Sequence, residues 1–112
     1  MKRRTDTVVV KIGTSSITDD EGMIDRASVG RLCDGVAALR DSGRHVVVVT
    51  SGAIAAGLPE LGLGGERRPR DAVTLQAVSA VGQGGLIRTY REELGRHDLI
   101  AGQVLLAPLD FF

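Results

Sequence analysis

Cysteine is almost missing: Cys33 stands alone among 112 residues, so no intrachain disulfide can form. With Val29, Leu32 and Val36 beside it at helical spacing, its thiol reads as core packing. Aromatic residues make up 3% of the chain and tryptophan is absent, which leaves nothing to interleave with basic residues as a stacking platform for nucleic acid. Charge of one sign is lacking too. The 14 lysines and arginines are balanced by 14 aspartates and glutamates, so no surplus faces a phosphate backbone or an anionic membrane. Arg67, Arg68 and Arg70 cluster only briefly and read as a solvated loop. No apolar run approaches the roughly 20 residues needed to cross a bilayer. The charged start, Met1 to Asp6, carries neither the apolar core nor the cleavage site of a secretory signal. These shortages point to a single soluble, cytoplasmic domain with no nucleic-acid and no membrane partner.

What the chain has in abundance is valine ahead of glycine-bearing turns. Val8-Val9-Val10-Lys11-Ile12 precedes Gly13-Thr14-Ser15-Ser16, and Val46-Val47-Val48-Val49 precedes Thr50-Ser51-Gly52-Ala53. Near-continuous valine fits strands buried on both faces of a parallel sheet, where ligands gather at the carboxyl ends. Strands are expected over 7–12 and 45–49. Between them, Val29, Leu32, Cys33, Val36 and Leu39 recur at three- and four-residue steps, predicting a helix capped by Asp25 and stopped by Gly43. Ser51 to Gly57 opens a short helix that Pro59 limits.

Leu61 to Pro69, with Gly62, Gly64 and Gly65, reads as an irregular loop arching over something. A long helix then spans about 71–94, with Leu75, Val78, Gly82, Leu86, Tyr90 and Leu94 on one stripe and Gly95 as terminator. Glycines 82, 84 and 85 each cost about 1 kcal/mol relative to alanine inside a helix. Ala80 to Gly85 therefore either breaks the helix or admits another backbone closely, and close packing at a subunit interface is the expectation. Ala77, Ala80 and Gly82 would allow tight helix pairing, and a homo-oligomer is expected. A third parallel strand is predicted over Gln103 to Leu106, followed by Pro108 and a helix cap at Asp110.

Lys11 is the first chemical candidate, because a lysine in an apolar strand costs desolvation unless its ammonium meets a partner at the strand end. The turn after it has a glycine, exposed amides and three hydroxyls, as a phosphate cradle needs. An ordinary turn presents much the same residues. Ser51 would satisfy free amides at a helix start whose dipole attracts anions, either as a simple cap or as a substrate ligand. Neither turn matches a Walker A loop or a dinucleotide Gly-x-Gly-x-x-Gly pattern. His45 and His97 have no second ligand at metal spacing, and no metal site is assigned to protein side chains. Asp19, Asp20 and Glu21 read as a solvated turn.

Four segments carry a resemblance: Val9 to Ser15; Val48-Val49-Thr50-Ser51-Gly52-Ala53-Ile54-Ala55-Ala56-Gly57; Gln76 to Gln83; and Gly102 to Leu106 leading to Asp110-Phe111. Together they resemble the N-terminal part of the glutamate 5-kinase family, in the amino acid kinase superfamily, over nearly all of the chain. The resemblance implies an α/β fold of three α/β/α layers around a mainly parallel sheet, incomplete here. Residues 1–112 would be the amino-acid-substrate part of the domain, without the nucleotide-binding half or a C-terminal RNA-modification-like domain.

By that resemblance the protein transfers the terminal phosphoryl group of ATP, with Mg²⁺ on the nucleotide, to the side-chain carboxylate of L-glutamate. Such a step gives glutamyl 5-phosphate and opens proline synthesis. Lys11 would be catalytic, neutralising the phosphoryl group in flight; Gly13 and Thr14, with Lys11, would bind the nucleotide phosphates; Ser51, Gly52 and Ala53 would hold glutamate. The isolated chain is expected to turn over little ATP. Alternatives are a kinase for aspartate, acetylglutamate or carbamate, and a truncated binding module without catalysis. Gln83-Gly84-Gly85 and Ala107-Pro108 depart from the family pattern.

Overall fold

Parallel pairing of two valine strands organises the molecule, a computed structural model that describes residues 6–105. β1 (Thr7–Ile12) lies beside β2 (His45–Thr50), with Thr7 opposite His45 and Ile12 opposite Thr50. Helix α1 (Arg26–Asp41) links them into a βαβ unit. Helix α2 (Ala53–Glu60) leaves the end of β2, and the long α3 (Ala72–Gly95) returns across α2 and α1. The fold is an incomplete α/β arrangement on a parallel sheet.

Local signals account for most of the boundaries. Asp25 caps α1 by accepting from the Ala27 amide at 3.2 Å, and Gly43, at φ 87°, turns the chain out of it. Asp71 caps α3 by accepting from the Thr74 amide at 3.0 Å. Hydrogen bonding to the neighbouring Ser28 and Thr74 hydroxyls holds the Asp25 and Asp71 carboxyls below the usual carboxylate range. Pro59 sits in the last turn of α2, which ends one residue later at Glu60. Gly95 belongs to α3 rather than terminating it; the left-handed turn falls at Asp98, φ 58°.

The core lies on one side of the sheet. Ile12, Ile17, Val29, Cys33, Val36, Leu86, Tyr90 and Leu94 are buried together, with Val10, Val46 and Val48 packed against them. Strand alternation sends Val9, Lys11, Val47 and Val49 to the other face, where Val9 is 63% and Val49 48% exposed. The expectation of strands covered on both faces therefore holds for one face among the described residues, because α1 and α3 pack on the same side. Burial pushes the Cys33 thiol up to about 11, in keeping with a packing role.

Two expectations need correction. Gln103 to Leu105 form no strand: the run has strand composition but pairs with neither β1 nor β2, and a strand exists only through its ladder. Val104 and Leu105 stand 81% and 73% exposed instead. Leu106, Pro108 and Asp110 lie outside the described residues. The glycines of α3 do not break the helix, and the close backbone approach expected there is met at Gly82 from within the chain. Gly82 receives the backbone of α2 from the same chain: a Cβ there would strike the Ala53 carbonyl oxygen and lie 2.9 Å from Gly57 Cα. Gly57 answers from α2, where a Cβ would collide with the Val78 carbonyl oxygen.

Candidate functional site

Both strands end at the same edge, and the turns that follow them are joined there. The Ser51 amide donates to the Ile12 carbonyl at 3.2 Å, carrying the ladder one residue past β2. Thr14, in a single 3₁₀ turn over Thr14–Ser16, then reaches across to Ser51, with the two hydroxyl oxygens 2.9 Å apart. This bond ties two loops that are 37 residues apart in sequence.

Ser51 does not cap α2, contrary to expectation. Gly52 occupies the cap position at φ 115° and ψ 0°, and no side chain accepts from the first turn. The left-handed conformation requires glycine, and a Cβ would also lie 2.9 Å from Ile17 Cδ1. The Ser51 hydroxyl is thereby displaced from the helix axis toward Thr14, while the first-turn amides stay without a side-chain acceptor. A helix start in that condition attracts anions through its free N–H groups and its dipole.

A cavity of about 330 Å³ opens at this point, within the size range of small-molecule sites. It is lined by Thr14 and the run Thr50 to Ala55, by Arg68 from the loop before α3, and by Ser79 and Gln83, one helical turn apart on α3. Thr50 is fixed by a 2.8 Å hydrogen bond to the Tyr90 hydroxyl, whose pKa burial raises while that bond lowers it. Tyr90→Phe is expected to lower stability by about 1 kcal/mol by urea denaturation, since the ring stays and one half-buried bond goes. An unchanged midpoint would mean the hydroxyl contributes nothing.

The structure brings Thr14, Ser51, Gly52 and Ala53 to one cavity and leaves Lys11 and Gly13 outside its lining. Lys11 is not buried, as the desolvation argument assumed, but exposed on the sheet face opposite the core. It pairs in register with Val49, two residues before Ser51, and so shares the same rim. Its ammonium has no hydrogen bond or ion pair among the described residues. Gly13 is exposed with open space around it, and the Thr14 and Ser15 amides have no backbone acceptor among the described residues.

Sequence reasoning missed Arg68, Ser79 and Gln83. Arg68 had been read as part of a solvated cluster, and only the path of the irregular loop brings it to the cavity. Ser79 and Gln83 were within reach of a helical-spacing argument, because they flank the Val78–Gly82 contact with α2.

Parallel strands ending in a hydroxyl-bridged pair of turns beside an uncapped helix start define the class: the chain belongs to the amino acid kinase family, whose model matches residues 6–111. Among curated proteins it is 47% identical over 108 residues to the glutamate 5-kinase of Pelobacter propionicus, covering 96% of this chain and 28% of that protein. It is 54% identical over 103 residues to the glutamate 5-kinase of Salinispora arenicola and 48% identical over 103 residues to that of Thermobifida fusca. The chain covers 92% of its own length in both of these alignments and spans 27% and 26% of the two relatives. No helix among the described residues is long and apolar enough to cross a membrane.

Proposed function

We propose that this chain supplies the acceptor side of a glutamate 5-kinase, an enzyme that phosphorylates the side-chain carboxylate of L-glutamate and so opens proline synthesis. The observation that carries the reading is the Thr14–Ser51 hydroxyl pair beside the uncapped first turn of α2, opening on a cavity of about 330 Å³. An acidic side chain entering there meets the Ser51 hydroxyl, the Gly52 and Ala53 backbone and a positive helix end, with no carboxylate in the lining among the described residues to repel it.

ATP is the phosphoryl donor in this reading, and Mg²⁺ bound with the nucleotide would offset the negative charge of its phosphates. The residues present fit phosphate at the neighbouring turn: Gly13 leaves room for close approach, and the Thr14 and Ser15 amides lack backbone acceptors among the described residues. Lys11, exposed on the same rim, supplies the positive charge that steadies the phosphoryl group as it crosses between two anions. Its place outside the cavity lining supports a role beside the donor rather than the acceptor.

Calorimetric titration tests the division of labour. L-glutamate is expected to bind and L-glutamine not, since glutamine puts a neutral amide where the site offers donors. Ser51→Ala should weaken glutamate by about tenfold, and Lys11→Ala should leave it within about twofold, because exposed charges couple weakly. Aspartate or acetylglutamate binding ahead of glutamate would move the assignment to another acidic substrate. Glutamate-dependent ADP release by the 112-residue chain is expected to be negligible.

A further inference from the structure

Arg68, Ser79 and Gln83 bring to the cavity a chemistry that the strand-end turns do not use. Arg68 is the only charged side chain in the lining among the described residues. It follows a 3₁₀ turn over Gly65–Arg67 and takes extended backbone, φ −60° and ψ 121°, in front of Pro69. Its guanidinium makes no hydrogen bond or ion pair among the described residues, although acidic side chains elsewhere in the molecule pair readily with Arg26, Arg44 and Arg96. Gln83 on α3 lines the same cavity, half-buried, and its side-chain amide has no partner among the described residues. Ser79, one turn earlier, has already committed its hydroxyl proton to the Gln76 carbonyl at 2.8 Å. Two unengaged polar groups of different kinds, a planar cation and a carboxamide, therefore line a space that also holds the carboxylate-attracting start of α2.

We propose that Arg68 and Gln83 read the α-amino acid end of the substrate: the Arg68 guanidinium takes the α-carboxylate and the Gln83 amide oxygen accepts from the α-ammonium. This rests on the reading of the cavity as the site of an acidic amino acid. The guanidinium fork matches a carboxylate in two parallel N–H···O bonds, which an ammonium cannot do. The arrangement also sets direction. With the α-carboxylate held by Arg68, the side-chain carboxylate is left toward Ser51 and the start of α2, so the acceptor end is chosen by where the cation stands. A substrate lacking either α-group leaves one of the two lining residues without its partner and loses affinity accordingly.

The test is calorimetric titration of the chain and four variants, Arg68→Gln, Arg68→Lys, Gln83→Leu and Ser51→Ala, with three ligands. L-glutamate carries every group, 4-aminobutyrate lacks the α-carboxylate, and glutarate lacks the α-ammonium. Arg68→Gln should weaken glutamate by at least about tenfold and leave 4-aminobutyrate unchanged, so that the two ligands bind alike. Arg68→Lys should fall between, keeping the charge and losing the fork. Gln83→Leu should weaken glutamate and 4-aminobutyrate but spare glutarate. Ser51→Ala should weaken all three, which share the side-chain carboxylate, whereas parallel losses in Arg68→Gln or Gln83→Leu would signal a general loss of fold and overturn the proposal, as would an Arg68→Gln variant that binds glutamate normally. If glutamate binding depends on Ser51 but not on Arg68, the inference fails alone. If none of the three ligands binds the unsubstituted chain, the acidic-substrate reading fails with it.

Discussion

Gly82→Ala is expected to destabilise the chain by more than about 3 kcal/mol in urea, enough to leave a large unfolded fraction at room temperature in a domain of ordinary stability. One methyl group does this because of where it would stand. A Cβ at Gly82 would overlap the Ala53 carbonyl oxygen and lie 2.9 Å from Gly57 Cα. Both are backbone atoms of α2, so no rotamer change relieves the clash. The helices would have to separate, and the contact they would give up includes fully buried Val78 and the closely packed Gly57. Gly84→Ala supplies the control. It lies in the same helix with open space around its missing Cβ, and the helical preference of alanine predicts a gain of up to about 1 kcal/mol. Opposite signs from two glycines two residues apart would locate the effect in packing; two similar small gains would mean that α2 does not press on α3 as described.

The same crossing has a functional side. Ala53 begins α2 and lines the cavity, so its position depends on the seat that Gly82 provides. Moving α2 away would shift the uncapped amides and Ser51 relative to Thr14. Glutamate affinity is therefore expected to fall in Gly82→Ala molecules that remain folded, even though residue 82 itself touches no substrate.

Glycine 82 also illustrates what was legible in the sequence. Helical spacing and the cost of glycine were enough to expect a close approach at that point, but not to say which backbone would make it. That depends on the turn at Pro59 to Arg68 bringing α3 back over α2, and no local pattern encodes a path. Both valine strands, the Asp25 cap, the start of α3 near residue 71 and the stop at Gly43 followed from local chemistry and stand where expected.

At the candidate site the balance is different. Thr14, Ser51, Gly52 and Ala53 were found because turns after parallel strands must meet at one edge. The geometry between them was misjudged at Ser51, where a serine at a helix start looked like a cap, yet the left-handed Gly52 takes that position. Lys11 was expected to be buried because its strand is apolar, whereas burial is set by what packs on each sheet face, and strand alternation puts Lys11 with the exposed Val9 and Val49. Gln103 to Leu105 likewise have strand composition without a ladder partner.

An ionic clasp at the far end of α3 went unnoticed in the sequence, because Glu93 falls among alternating charges that resemble a solvated helix face. It is 8% exposed and lies between α1 and the end of α3. Glu93 accepts from Arg96 Nη1 at 2.8 Å and from Arg26 Nε at 3.0 Å, while Arg26 also pairs with Glu92. Its Oε1 sits so near α1 that a Cβ on Gly30 would lie 2.6 Å from it, so α1 carries glycine where the carboxylate needs room. The Arg96 hydrogen bond, with help from Arg26 and against the opposing effect of burial, holds the Glu93 carboxyl below its ordinary value of 4.5. Both guanidiniums remain 54% exposed, so solvent screens the cluster and it is no deep ion pair.

From that lowered pKa follows a pH dependence of definite sign. The unfolded chain binds a proton on Glu93 more readily than the folded one, so the clasp contributes fully above about pH 4.5 and fades as pH falls through the lower folded value. Glu93→Gln is expected to lower the melting temperature at pH 6 by roughly 5 °C or more, because it removes the charge that two arginines share while keeping the side chain's size. On acidification toward pH 3 the unsubstituted chain loses that advantage and the two melting temperatures should converge. Asp25 and Asp71, whose carboxyls are lowered by their caps, titrate in both proteins and cancel from the difference. A gap that stays constant from pH 6 to pH 3 would assign Glu93 a purely steric role between α1 and α3 and would remove the electrostatic account of the clasp.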